Sequence, residues 1–311
     1  VYLSNNSSGS GGIQIGSGRT VPAFTSNPGT QTNSGSISGI IPSGGCIGSC
    51  YITAIADADG AISETNESNN KKATSITIKH MTINYYDVTN SEITIGQHDV
   101  CVLNGIYNQQ SGTYEEQFYC QAYISNSTTP KPTWNLKSYG ESPGQTCYAT
   151  CMDWSVQAPT FNYYDVTNSE ITIGQHDVCV LNGIYNQQSG TYEEQFYCQA
   201  YISNSTTPKP TWNLKSYGES PGQTCYATCM DWSVQAPTFN YYDVTNSEIT
   251  IGQHDVCVLN GIYNQQSGTY EEQFYCQAYI SNSTTPKPTW NLKSYGESPG
   301  QTCYAACMDI P

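Results

Sequence analysis

From residue 82 onward, apolar and polar residues alternate with a period of two, and no stretch holds a helical period. The alternation is rich in β-branched and aromatic residues and is punctuated by Pro and Gly. It predicts six strands: Thr82–Asp87, Ser91–Ile95, Asp99–Leu103, Tyr114–Ile124, Thr133–Tyr139 and Thr146–Trp154. Phe118, Cys120, Ala122 and Ile124 share one face of the longest strand, and Trp134 and Leu136 turn inward on the next. Asn104-Gly105 carries the signature of a tight turn.

The pattern then returns. The string from Asn84 to Thr160 recurs unchanged from Asn162 to Thr238 and starts again at Asn240, a period of 78 residues. The third copy departs only at its end, where Ala306, Ile310 and Pro311 stand for Thr150, Trp154 and Ser155. Such a unit exceeds the ~20–50 residues of a solenoid repeat and is long enough for a small core of its own. The expected fold is therefore all-β. Three tandem small antiparallel domains, at 83–160, 161–238 and 239–311, sit as beads on a string joined by short linkers such as Trp154–Thr160. Identical copies present identical surfaces, which favours architecture or multivalent binding over chemistry.

Cysteine spacing adds staples. Each repeat holds four: Cys101, Cys120, Cys147 and Cys151, then Cys179, Cys198, Cys225 and Cys229, then Cys257, Cys276, Cys303 and Cys307. Cys46 and Cys50 precede them. An even count in a small β unit reads as two disulfides per repeat, and hence an oxidising compartment. A zinc site would need a C-x-x-C knuckle that the repeat lacks. If Thr146–Met152 is a strand, Cys147 and Cys151 lie too far apart to bond, and each crosses to Cys101 or Cys120. If it is a turn, that pair closes locally and Cys101 joins Cys120. Cys46 and Cys50 have no other partner nearby and are expected to bond to each other.

Charge sharpens the division. The chain has 311 residues and a net charge of −15, all of it in the repeats: each has seven acids against two lysines, while residues 1–82 balance four against four. The acidity reads as a solubility device, and it leaves no basic footprint for nucleic acid or anionic lipid. No apolar run reaches the ~18–20 residues of a membrane span. Each repeat carries eight tyrosines, which suit half-buried sheet faces, a packing surface between subunits, or contact with glycans.

Residues 1–82 differ in composition, being rich in Gly, Ser, Asn and Thr up to residue 45. Then follow the strand Tyr51–Ala56, the turn Asp57-Ala58-Asp59-Gly60, and Glu64-Thr65-Asn66-Glu67-Ser68-Asn69-Asn70 leading into Ala73–Ile78. This ending closely resembles the final hairpin of the CARDB family, the cell-adhesion-related domains of bacteria and archaea, and Val1-Tyr2-Leu3-Ser4 looks like the family's early strand. The resemblance covers about a quarter of the chain. It implies an immunoglobulin-like β-sandwich in a secreted or surface protein of a prokaryote, used for adhesion or scaffolding and bringing no catalytic residues. Such a sandwich would need further strands before Val1. Without them its exposed edge invites strand addition from a neighbouring subunit.

Other motifs reduce to bland readings. Asp57–Gly60 with Glu64 begins like a calcium loop but lacks its frame. Gln97-His98-Asp99 reads as a surface turn. Glu115 and Glu116 point to opposite faces of a strand and cannot act as a catalytic pair. Sequons at Asn126, Asn204 and Asn282, and at Asn5, Asn6 and Asn66, are candidate glycosylation sites, and Ser125–Thr129 could carry O-glycans. No catalytic, cofactor or metal set emerges. The expected function is a structural subunit of an extracellular filament or adhesin stalk that self-associates into a fibre. The alternative is a multivalent protein binding glycans or surfaces.

Overall fold

A computed structural model of the chain describes residues 1–15, 46, 48–56, 66, 69–78, 81–108, 117–127, 130–140, 144–155, 158–186, 195–205, 208–218, 222–233, 236–264, 273–283, 287–296 and 300–310. The chain divides into two compact units: Val1–Met81 with Trp154–Val156, and Thr82–Asp153 with Gln157–Pro311.

The first unit is a four-stranded sheet in the order β2-β1-β3-β4, built from β1 (Tyr2–Ser4), β2 (Ile13–Gln14), β3 (Gly48–Ile55) and β4 (Lys71–Ile78). β3 and β4 pair antiparallel from Gly48↔Ile78 to Ile55↔Lys71. Leu3 and Cys50 are buried, with Ile15, Ile52, Ile76 and Ile78 packed against them. Cys46 and Cys50 bond locally, as their isolation implied. Most of the acid-rich segment that carries the CARDB resemblance, including Asp57–Gly60 and Glu64, lies outside the described residues, as do Glu115 and Glu116.

The second unit holds the repeats. Repeat 1 supplies β5 (Met81–Thr89), β6 (Glu92–Gln97), β7 (Val100–Asn108), β8 (Phe118–Asn126), β9 (Thr133–Gly140) and β10 (Thr146–Trp154). Repeat 2 supplies β11 (Thr160–Thr167), β12 (Glu170–Gln175), β13 (Val178–Asn186), β14 (Phe196–Asn204), β15 (Thr211–Gly218) and β16 (Thr224–Asp231). Repeat 3 supplies β17 (Thr238–Thr245), β18 (Glu248–Gln253), β19 (Val256–Asn264), β20 (Phe274–Asn282), β21 (Thr289–Gly296) and β22 (Thr302–Asp309).

The class is all-β with disulfide-stapled repeats, but the repeats are not closed individually. They form three six-stranded sheets, ordered β18-β21-β20-β7-β10-β5, β11-β16-β13-β8-β9-β6 and β12-β15-β14-β19-β22-β17. In each, one repeat gives its first, third and sixth strands and a neighbour gives its second, fourth and fifth. Repeat 2 pairs with repeat 1, repeat 3 with repeat 2, and repeat 1 with repeat 3, so the set closes into a pseudo-threefold ring. This departs from beads on a string for a physical reason. The six strands of a repeat split into two three-stranded half-sheets, and an identical neighbour completes each half into a six-stranded sheet.

The inward residues are those the alternation marks. Phe118, Cys120, Ala122, Trp134 and Leu136 are buried. Phe118, Phe196 and Phe274 meet one another pairwise with ring centroids 5.1 to 5.2 Å apart, one from each repeat. β7, β13 and β19 also pack against one another.

Thr146–Trp154 is a strand, so the crossing disulfides form. Cys101–Cys151, Cys179–Cys229 and Cys257–Cys307 join residues directly opposite on adjacent strands, with Cα atoms 4.0 to 4.1 Å apart. Cys120–Cys147, Cys198–Cys225 and Cys276–Cys303 span 5.5 to 5.6 Å between strands of two different sheets. Each repeat thus clasps together the two sheets it shares with its neighbours.

Asn104-Gly105 is not a turn. β7 runs through it, and the register against β10 shifts there, with Tyr148 opposite Gly105 and Ala149 opposite Leu103. The glycine serves a close approach: a Cβ on Gly105 would sit 2.5 Å from Gln277 Cγ and 3.0 Å from Tyr148 Cδ2. Asn104 is the bulged residue, and its Nδ2 donates to the Ala278 carbonyl of repeat 3 at 3.2 Å.

His98 is not at a surface turn either. It is 7% exposed. Its Nδ1 lies 2.7 Å from Asp153 Oδ2, its Nε2 lies 3.0 Å from the Tyr86 hydroxyl, and Lys131 Nζ bridges Asp99 and Asp153 at 2.9 and 2.6 Å. Burial pushes the Asp153 carboxyl up, but the hydrogen bonds from Lys131 and His98 outweigh it and hold the group below the usual carboxylate range. The network ties strand ends far apart in sequence and recurs around His176 and His254.

Candidate functional site at the repeat seams

The seam between two repeats opens partway along. β8 pairs with β13 only from Phe118↔Asn186 to Gln121↔Gly183. Beyond that point β8 stays with β9 as far as Asn126, while β13 stays with β16 as far as Val178. The two half-sheets fork, and a cleft lies in the fork. One wall, from repeat 2, carries Tyr163, Asp165, Asn182 and Tyr226, and the other, from repeat 1, carries Gln121, Tyr123, Ile124 and Trp134.

The same cleft recurs at the other two seams. Tyr85, Asp87, Asn104 and Tyr148 of repeat 1 face Gln277, Tyr279, Ile280 and Trp290 of repeat 3. Tyr241, Asp243, Asn260 and Tyr304 of repeat 3 face Gln199, Tyr201, Ile202 and Trp212 of repeat 2. The volumes are about 200, 290 and 300 Å³, at the small end for ligand clefts.

Each cleft combines aromatic area with a few polar atoms. Tyr85 is 45% exposed and leans on the buried Trp290, with ring centroids 6.1 Å apart. Tyr163 stands likewise on Trp134 and Tyr241 on Trp212. Burial of the ring pushes the Tyr85 and Tyr163 hydroxyls up to about 12. Burial, then the charge of Asp87, raises Tyr148. These phenols stay neutral and able to donate at physiological pH.

The polar atoms are unevenly satisfied. Asn104 is 5% exposed, and while its Nδ2 spans the seam its Oδ1 is buried without a partner; Asn182 and Asn260 repeat this. Gln277 Oε1 accepts from the Tyr275 hydroxyl, which leaves its amide nitrogen to donate. The Tyr279 hydroxyl donates to Glu248, whose carboxyl this bond and one from Asn291 hold below the ordinary range. Aromatic faces beside a carboxylate, an amide nitrogen and hydroxyls suit a small polyol with one apolar face.

A second aromatic patch adjoins the first. Tyr107, Tyr275 and Tyr295 stand in one row across β7, β20 and β21. With Tyr148, Gln273 and Lys293 they border a shallower depression of about 510 Å³. Tyr148 belongs to both depressions.

All 14 cysteines are bonded. Asn126, Asn204 and Asn282 are exposed at the ends of β8, β14 and β20, where a glycan could attach, although the sequon threonines lie outside the described residues. Among the described residues no group of three or more His, Cys, Asp or Glu is arranged to hold a metal ion, and no helix is long and apolar enough to cross a membrane. Sequence reading missed Asp87, Asn104 and Gln277. No local pattern could find them, because each cleft is assembled from two repeats. A scan against family models, a search of curated proteins and a search of solved structures each return no match.

Proposed function

We propose that the repeat unit is a trivalent carbohydrate-binding module, with one site at each seam. The observation that carries this reading is the set of three equivalent clefts, each lined by a tyrosine standing on a buried tryptophan and by an aspartate and a glutamine. The tyrosine over each tryptophan offers the apolar area on which the carbon face of a pyranose can lie. Three sites on one chain raise avidity for a surface dense in glycans.

Binding rather than hydrolysis is the better fit, because among the described residues each cleft is lined by a single carboxylate and glycoside cleavage uses two, ~5–9.5 Å apart. Seven disulfides support action in an oxidising, extracellular setting. Secretion from a prokaryote is part of this proposal and rests on the CARDB resemblance.

The test is a glycan array with the intact chain, followed by calorimetric titration of the best ligand. About three sites per chain are expected, with binding lost in the combined variant Tyr85→Ala, Tyr163→Ala and Tyr241→Ala. An array with no saccharide bound would refute the reading.

The filament reading takes a narrower form. With the repeats closed on one another, assembly would run through the first unit, where β2 and β4 are the sheet edges among the described residues and the places at which a strand would add. Long fibres formed by residues 1–82 alone, seen by electron microscopy, would support it; dispersed monomers at high concentration would count against it.

A further inference from the structure

We infer that the three seam clefts select sugars carrying a protonated amine, an inference that rests on the carbohydrate reading above. Asp87, Asp165 and Asp243 are exposed, line the clefts and, among the described residues, make no ion pair or hydrogen bond.

The lysines of the repeats are used elsewhere. Each repeat has two lysines. Lys131 lies between Asp99 and Asp153, and Lys137 sits 4.0 Å from Glu92 and 5.4 Å from the Tyr119 ring centroid. Their counterparts in repeats 2 and 3 do the same. Glu248, bonded to the cleft residue Tyr279, also accepts from Asn291 and lies 3.9 Å from Lys293. Among the described residues the carboxylate of Asp87 thus has no cation paired with it and stands beside neutral phenols.

That combination fits an ammonium group. Aromatic faces attract cations, and a carboxylate at their edge completes the pairing. The surrounding repeat, at five negative charges net, adds a field that draws cations toward it. An amino sugar would place its ammonium on Asp87, a hydroxyl on the Gln277 amide nitrogen, and its carbon face on Tyr85.

The experiment titrates the intact chain with three oligosaccharides of matched length: glucosamine, N-acetylglucosamine and glucose. The glucosamine oligomer should bind roughly tenfold tighter than either neutral form, with the preference shrinking as salt rises. The combined variant Asp87→Asn, Asp165→Asn and Asp243→Asn should lose the preference and keep the weaker binding of the neutral sugars. Equal affinity for amine and acetamide would overturn the inference. So would a preference that survives the triple variant, because the amine would then be held by the acidic surface in general. Failure of all three sugars to bind, in a chain that also bound nothing on the array, would sink the carbohydrate reading itself.

Discussion

Phe118, Phe196 and Phe274 offer a direct test of the closed ring. Each is 2% exposed, and each ring touches the other two. Truncating one, Phe196→Ala, removes a buried aromatic side chain and opens a cavity between repeats, at a cost of ~3–5 kcal/mol. Within that figure lie two ring pairs at ~0.5–1.5 kcal/mol each. The triangle has three pairs, and the three single variants between them break each pair twice. The triple alanine variant should therefore cost less than the sum of the singles by three pair energies, or about 1.5–4.5 kcal/mol. Denaturant unfolding of the non-reduced chain, followed by tyrosine and tryptophan fluorescence, measures both quantities. The single variant should shift the whole repeat transition together. If part of the transition stays at the wild-type midpoint, or the triple variant equals the sum of the singles, the repeats fold separately and the ring is wrong.

Four other expectations follow from particular contacts. Gly105→Ala, with Gly183→Ala and Gly261→Ala, forces Gln277 and Tyr148 and their equivalents aside, and should destabilise the chain by ~1–3 kcal/mol per site while abolishing ligand binding at the clefts; unchanged affinity would place the site elsewhere. Asp153, Asp231 and Asp309 are held below the usual carboxylate range, where burial is outweighed by hydrogen bonds from the lysine and histidine. Their stabilisation is complete above that range and is lost as pH falls through the lowered values, so circular dichroism should show cooperative acid unfolding well below pH ~4, weakened by Lys131→Met. At the other extreme, Tyr85 and Tyr163, raised by burial to about 12, favour the fold below their ordinary ~10, and that contribution should fade as pH climbs from ~10 to about 12, with delayed phenolate absorbance as the marker. Disulfides closing 27 and 50 residues contribute about 3.5 and 4 kcal/mol by chain entropy, so reduction should unfold the repeats, and thiol titration of unreduced, unfolded protein should find almost none.

The strands were legible because their cause is local. Period-two alternation alone places Phe118, Cys120, Ala122, Trp134 and Leu136 inside, with Ile124 on the same face half-buried; the crossing of the Cys147 and Cys151 bridges was open in the sequence and follows once Thr146–Trp154 is a strand. Pairing partners were not legible. Three identical copies give β8 the same propensity for any copy of its partner, so sequence cannot say whether β7, β13 or β19 lies beside it. His98 looked like a turn residue because its ligand Asp153 lies 55 positions away. Asn104-Gly105 matched a hairpin turn, since a bulge and a turn both favour that dipeptide, and only the approach of Gln277 from another repeat separates them. Asp87 lacks any sequence signal, because its significance is the absence of a neighbouring lysine in space.

The seams carry one chemistry but not one connectivity. Asn182 reaches Ala122 and Asn260 reaches Ala200 across 60 residues of chain, whereas Asn104 reaches Ala278 across 174. Joining the ends of the longer loop costs about 1 kcal/mol more in chain entropy for the same contacts. The seam between repeats 1 and 3 therefore closes last during folding and opens first under stress. It behaves as the clasp of a bracelet whose links are otherwise alike. An opened clasp leaves β7 and β20 bare, ready to meet β20 and β7 of another molecule, so strand exchange between molecules should begin at that seam.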